Sequence, residues 1–340
     1  KSPPVGAKIP DGPVHRGFHY FHGFHHARNM EAVIINDQVV KHEDPINMLP
    51  RLTRESSKYI ESRKDKKKPF FLYVPLGSPH TPILPTKEWQ GKSGLGSYGD
   101  FVMQTDHVMG EIRKALKATG QDKNTLIIFT SDNGCSKAAN IPDLAKQGHK
   151  VSANLRGSKA DLWDGGHRIP FIVKWPGRVK AGSQSDQLIC LTDLFSTVGE
   201  IIGVKVPSGS CEDSVSFLPA LSGEKIKTSR KGVVHHSYTG HFAYRMGKWK
   251  LLLAKASGGW TSPKENQVKA GAPRAQLYDM EQDIGEQKNL FEKQNKIASD
   301  MLSHLERDVR RGRSTDGPKS KNDISEIVLW KSGQTPKSKQ

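Results

Sequence analysis

Cysteine is scarce in this chain: Cys135, Cys190 and Cys211 are the only three in 340 residues. Three thiols so far apart build neither a disulfide framework nor a cysteine-based zinc site. Long apolar runs are missing too. No stretch approaches the roughly 20 residues that a membrane-spanning helix requires, so no membrane partner is expected. Acidic residues are few, 35 against 52 Lys and Arg, which leaves a formal charge of +17. Residues 307–340 hold nine Lys/Arg against four Asp/Glu, and the remaining excess is spread, as in Lys64-Asp65-Lys66-Lys67-Lys68. An Arg-rich recognition block is absent. The basic residues are therefore read as a solvated surface, and no nucleic-acid partner is expected. The chain opens at Lys1 with neither Met nor a signal-like apolar core, so no export segment is read here.

What is present begins with 35% hydrophobic residues, enough for a core at this length and room for two domains. Residues 1–46 are rich in Gly, Pro and His. His15, His19, His22, His25 and His26 interleave with Phe18, Tyr20, Phe21 and Phe24, which suits either a metal cluster or a packed aromatic loop. Leu49–Arg63 and Tyr98–Thr119 have the apolar spacing of amphipathic helices, the second stopped by Gly120. Pro69–Leu76, Thr125–Thr130 and Phe171–Trp175 read as buried strands, and Leu194–Ile202 as a helix capped by Thr192 or Asp193. Strands alternating with helices predict an α/β domain with a mainly parallel sheet over residues 1–223. After Gly223, the short runs Val233–Tyr238, Phe242–Met246 and Trp249–Leu253 predict an antiparallel sheet, closed by a helix at Ile297–Val309. Residues 229–312 thus form a smaller α+β domain, and 313–340 a basic tail in which Ile324–Trp330 can dock.

In α/β sheets, ligands collect just beyond the carboxyl ends of strands. Two groups fall there. Asp132-Asn133, followed by Gly134, offers a carboxylate and an amide carbonyl, hard oxygens suited to calcium or magnesium; the same triplet is also an ordinary turn. His80 is presented by a loop that Pro79 and Pro82 stiffen, a fitting place for a proton donor or an anion ligand, or for a locally bonded loop histidine. Further on, Lys159 offers a point charge to an anion, and Gly157, Gly165 and Gly166 permit a close backbone approach to a ligand.

Together these segments form one pattern. Phe70-Phe71-Leu72-Tyr73 with Pro79-His80-Thr81-Pro82, Thr125–Thr130 with Ser131-Asp132-Asn133-Gly134, and Gly157-Ser158-Lys159 with Trp163–Pro170 and Trp175-Pro176-Gly177 resemble the type I, formylglycine-dependent sulfatases. Gly17–Gly23 resembles an early segment of that family, and Tyr244–Leu251 and Leu277–Glu286 its carboxy-terminal domain. The resemblance covers roughly residues 10–310 and is closest to bacterial arylsulfatase-like members. It implies the alkaline-phosphatase-like superfold and a sulfuric ester hydrolase acting on a sulfate ester, possibly a sulfated polysaccharide, in the periplasm or outside the cell. It further implies that Asp132 and Asn133 are two ligands of a calcium ion. Lys159 would bind a sulfate oxygen, and His80 would help protonate the leaving oxygen. The family's nucleophile is a formylglycine made from Cys or Ser in a Cys/Ser-x-Pro-x-Arg segment.

The sequence departs from the pattern at that point. None of the three cysteines opens such a segment, and the paired aspartates that complete the family's metal site early in the chain are absent. The sequence looks like the last two-thirds of a sulfatase, with its nucleophile expected upstream and the chain alone expected to be inactive. A non-catalytic binder of sulfated glycans and a related phosphoester hydrolase stand as alternatives. Specificity is expected from variable loops such as Trp89–Gly99 and Ala254–Arg274.

Overall fold

The computed structural model describes residues 2–207 and 209–331, which divide into two compact units. Residues up to 125 and 138–149 form the first; residues 126–137 and those from 150 onward form the second.

The first unit opens with strands β1 (His22–Gly23), β2 (Ala32–Ile35) and β3 (Gln38–His42), an antiparallel sheet in that order. Asn36, at φ 55°, and Asp37 make the tight turn between β2 and β3, residue types that tolerate the left-handed region such turns need. Helix α1 (Met48–Ser62) buries Met48, Leu49, Leu52 and Ile60 along one stripe. Met48 and Leu52 pack on Met30 and Val33 at the sheet, while Leu49 packs with Phe101 and Val108 of α2 (Gly96–Ala118). A short helix, α3 (Ile141–Lys146), also belongs to this unit. The histidine-rich loop is an aromatic one: Tyr20 stacks on Tyr59 at 5.9 Å, and Phe18 lies 6.1 Å from Phe71.

The second unit contains β4 (Ile127–Thr130), paired antiparallel with β5 (Phe171–Lys174). Helices α4 (Asp164–His167), α5 (Asp193–Ile201) and α6 (Leu218–Leu221) accompany them. A meander follows, β6 (Val233–His236), β7 (Phe242–Met246), β8 (Trp249–Leu252) and β9 (Gln276–Asp279), antiparallel throughout. Helix α7 (Asn295–Arg311) lays Ala298, Met301 and Leu305 on Tyr244, Leu251 and Leu277 of that sheet. Leu329 and Trp330 enter the same core, so the tail docks there as its apolar residues require.

Two expectations need correction. Every strand pair among the described residues is antiparallel, so the mainly parallel sheet is not formed in this stretch. Its anticipated member, 69–76, forms no strand. Exposure alternates along it, with Phe71 61% and Tyr73 65% exposed, which is the side-chain period of a strand without the pairing. Lys250 of β8 is fully buried, with its ammonium 2.6 Å from Asp164 and 2.8 Å from Glu286, and this contact joins the carboxy-terminal sheet to α4. Of the two cap candidates, Thr192 takes the N-cap position, with no side-chain capping bond, and Asp193 is the first residue of the helix. It is buried and accepts both arms of the Arg230 guanidinium, at 2.6 and 2.8 Å.

Candidate functional site

Asp132 and Asn133 stand in the turn that leaves β4. The Asn133 amide donates to Asp132 Oδ1 at 2.5 Å, and Ser131 Oγ donates to the Asn133 carbonyl at 3.0 Å. The carboxylate is exposed. That leaves Asp132 Oδ2 and Asn133 Oδ1 as hard oxygen donors from adjacent residues, the chemistry that suits a calcium-type ion but only part of its usual 6–8 ligands. Among the described residues no group of three or more His, Cys, Asp or Glu is arranged to hold a metal.

Gly134 explains how this turn reaches its neighbours. Its N–H donates to the Gly166 carbonyl at 3.1 Å, and a Cβ there would lie 1.8 Å from the Gly165 carbonyl oxygen. A Cβ on Gly165 would in turn lie 2.2 Å from the Gly157 carbonyl oxygen. The glycines expected to let the backbone approach a ligand instead let three loops of this chain approach one another. Lys159 is carried on the innermost of these loops, its N–H donating to the Cys135 carbonyl at 2.8 Å. Its half-buried ammonium has no carboxylate partner among the described residues. Asp132, Asn133 and Lys159 thus stand on loops stitched together through their backbones.

The organiser of that cluster was not legible in the sequence. Asp161 is fully buried. Its Oδ2 accepts the Ser158 N–H at 2.8 Å, and its Oδ1 accepts those of Trp260 and Thr261 at 2.8 and 3.0 Å. The signal available was an acidic residue two positions after Lys159, which is not enough to separate a buried staple from a surface charge. Behind it, Lys250 holds the Asp164 carboxyl below its ordinary range even though burial pushes the other way, while burial raises Glu286.

His80 belongs to the first unit, half-buried at the end of 69–76. Its Nδ1 lies 2.6 Å from the Thr81 carbonyl oxygen, which can only accept. Nδ1 therefore carries the proton, and Nε2 is the nitrogen left to meet a ligand.

Helices combined with a carboxy-terminal antiparallel sheet, together with the solved neighbours, place the chain in the alkaline-phosphatase-like class. Comparison with known proteins is more specific. The sulfatase family profile matches residues 11–204, and that of the N-sulphoglucosamine sulphohydrolase carboxy-terminal region matches residues 158–260. The chain belongs to the sulfatase family. It is 33% identical over 262 residues to an N-acetylgalactosamine-6-O-sulfatase of Bacteroides thetaiotaomicron, a match spanning 75% of this chain and 50% of that protein. It is 32% identical over 215 residues to the N-acetylgalactosamine-6-sulfatase of Mus musculus, covering 63% of this chain and 40% of the relative. The PsFucS1 sulfatase from Pseudoalteromonas sp. superposes with a TM-score of 0.68 at 26% identity, over 85% of this chain and 60% of that one. Ps i-CgsB in complex with k-i-k-neocarrahexaose shares the fold, with a TM-score of 0.73 at 24% identity, over 92% and 71%. The chain spans about half the length of the curated relatives it matches. No helix among the described residues is long and apolar enough to cross a membrane.

Proposed function

We propose that the protein to which this chain belongs is a sulfuric ester hydrolase acting on sulfated sugars outside the cytoplasm, in the periplasm or beyond. The observation that carries the reading is the cluster at the end of β4. The Lys159 loop is bonded backbone to backbone onto the Asp132–Cys135 turn, which ties the loop carrying the lysine to the turn carrying two hard oxygen donors. Such a pairing suits a sulfate ester: Lys159 draws on a non-bridging oxygen and stabilises charge as the S–O bond breaks. Asp132 and Asn133 would supply two oxygens to a calcium ion, whose charge polarises the ester. In this family a formylglycine supplies the attack on sulfur, and no cysteine of this chain lies in the segment that becomes one. His80, with Nδ1 tied to Thr81, offers Nε2 to protonate the leaving alcohol oxygen. The relatives named for N-acetylgalactosamine-6-sulfate esters support a sulfated hexosamine as the substrate class.

Turnover of 4-nitrophenyl sulfate by the full-length protein tests this. Lys159→Ala and His80→Ala should each lower kcat/KM by about 10²–10³-fold, the size of a lost charge-stabilising donor. Asp132→Ala should abolish the dependence on added calcium. Turnover that survives Lys159→Ala would refute the reading, and sulfate-ester binding without turnover would point to a glycan-binding protein instead.

A further inference from the structure

Two aromatic rings with little structural reason to be exposed stand next to the Lys159 loop. Tyr238 is 74% exposed, so its ring contributes little to the core that β6 and β7 help to build. Trp260 is half-buried, its ring centroid 5.6 Å from that of Tyr238 with the planes inclined at 55°. At that angle the rings form an aromatic corner and do not close on each other as a stack. The exposed Lys137 places its ammonium 5.0 Å from the centre of the Trp260 ring.

The corner is fixed to the candidate site by an unusual amount of bonding. The Tyr238 N–H donates to the carbonyl of Ala160, the residue after Lys159, at 3.0 Å. The Trp260 and Thr261 N–H groups share Asp161 Oδ1, while Ser158 Oγ meets Thr261 Oγ1 at 3.2 Å. The Leu162 N–H reaches the Ser257 carbonyl at 2.8 Å, and Thr239 Oγ1 donates to the Gly258 carbonyl at 2.6 Å. Gly259 is pressed so closely onto Ala160 that a Cβ would lie 2.3 Å from its carbonyl oxygen. Ser158, next to Lys159, and Trp260 are therefore held by the same buried carboxylate, and Tyr238 is held to Ala160 beside it. An aromatic pair kept rigid at the surface loses little conformational entropy when a ligand arrives, which is how binding anchors are built.

We propose that Tyr238 and Trp260 form a sugar-binding platform that receives the apolar face of a hexose ring of the sulfated substrate, with Lys137 meeting an anionic substituent of the same oligosaccharide. Hexoses present a face of C–H groups that packs against aromatic rings, and sulfated or uronic-acid-containing chains carry the negative charge an exposed ammonium attracts. The proposal rests on the sulfate-ester reading of the Lys159 site and assigns its specificity to this corner.

Binding to the intact chain, by titration calorimetry, tests it with two probes: a chondroitin 6-sulfate tetrasaccharide and inorganic sulfate. Trp260→Ala and Tyr238→Ala should each weaken tetrasaccharide binding roughly five- to tenfold, as truncating an exposed aromatic anchor does. Neither should change the affinity for inorganic sulfate, and Trp260→Phe should restore most of the loss. Lys137→Ala should weaken the tetrasaccharide alone and reduce the salt dependence of its binding. Lys159→Ala should weaken both probes. Aromatic variants that hold the tetrasaccharide as tightly as the parent chain would overturn the platform while leaving the Lys159 reading intact. If the aromatic variants lose the tetrasaccharide but Lys159→Ala loses neither probe, the platform survives and the sulfate-ester reading fails. No tetrasaccharide binding by the parent chain would overturn the platform outright. Near-ultraviolet circular dichroism of each variant identifies any loss that is merely unfolding.

Discussion

At the scale of single residues, the stability of the first unit has a titratable anchor in Glu43. Its carboxylate takes both arms of the Arg51 guanidinium, Nε at 2.7 Å, and Lys41 at 2.6 Å. The Arg51 hydrogen bonds, more than the opposing burial, pull its pKa from 4.5 to about 2. A carboxyl whose pKa is lower folded than unfolded adds stability above the unfolded value and loses it as pH falls through the folded one. The contribution should thus be present above about pH 4.5 and lost as pH falls from there toward 2. Melting followed by far-ultraviolet circular dichroism from pH 5 to 2 checks this: Glu43→Gln should flatten the acid limb, and an unchanged limb would rule the pair out as its cause. Single residues were also where the sequence was least legible. Asp132, Asn133, Lys159 and His80 stood out because their neighbours formed a pattern. Asp161 and Arg230 did not, because a buried carboxylate or guanidinium is chosen by partners about 100 and 37 positions away along the chain.

At the scale of elements, periodicity served wherever one face of an element meets one core. Helix α7 could be read from Ile297–Val309 because Ala298, Met301, Leu305 and Asp308 recur at helical spacing and are all buried. The β6–β8 meander was legible for the same reason, its runs being separated by turn residues. Strands of four or five residues with mixed composition were not. The β2–β3 hairpin turns on Asn36-Asp37 between the short runs Ala-Val-Ile-Ile and Gln-Val-Val, too brief to show a period of their own. The run 69–76 shows the opposite failure: an apolar pattern declares a strand's preference but cannot supply a partner. Since α7 is held by its apolar stripe and not by propensity, Leu305→Ala should cost about 2–5 kcal/mol by opening a cavity against Tyr244 and Leu277. Arg310→Ala, on the exposed face, should stay within about 0.5 kcal/mol. Urea denaturation followed by tryptophan fluorescence measures both, Trp330 lying in the same core. Equal costs for the two would contradict the packing described for α7.

For the molecule as a whole, the second unit should govern how the chain responds to mild acid, through two buried histidines, His167 and His235. The rings of His167 and His235 lie 4.4 Å apart. Each donates a ring N–H to a backbone carbonyl, His167 to Asp161 and His235 to Leu162, the two residues that follow the Lys159 loop. Their Nε2 atoms are buried without hydrogen-bond partners among the described residues. Burial, reinforced by the Lys250 charge, lowers the His167 pKa from 6.5 to about 4, and burial lowers His235 well below its ordinary value. The sign follows from which state holds the proton. Below pH 6.5 the unfolded chain protonates both imidazoles while the folded one keeps them neutral, so stability is full above 6.5 and falls as pH drops toward 4. Five of the six tryptophans, Trp163, Trp175, Trp249, Trp260 and Trp330, belong to the second unit, so fluorescence-detected melting reports chiefly on it. Its Tm should begin to fall below pH 7, well before the Glu43 limb sets in near pH 4.5, and keep falling toward pH 4. Replacing both histidines with asparagine keeps a side-chain N–H for the backbone carbonyls but removes the titration. The double variant should therefore show a nearly level Tm across the same range, whatever its value at pH 7. A slope as steep as that of the parent chain would mean that the buried imidazole pair does not set the acid sensitivity of this unit.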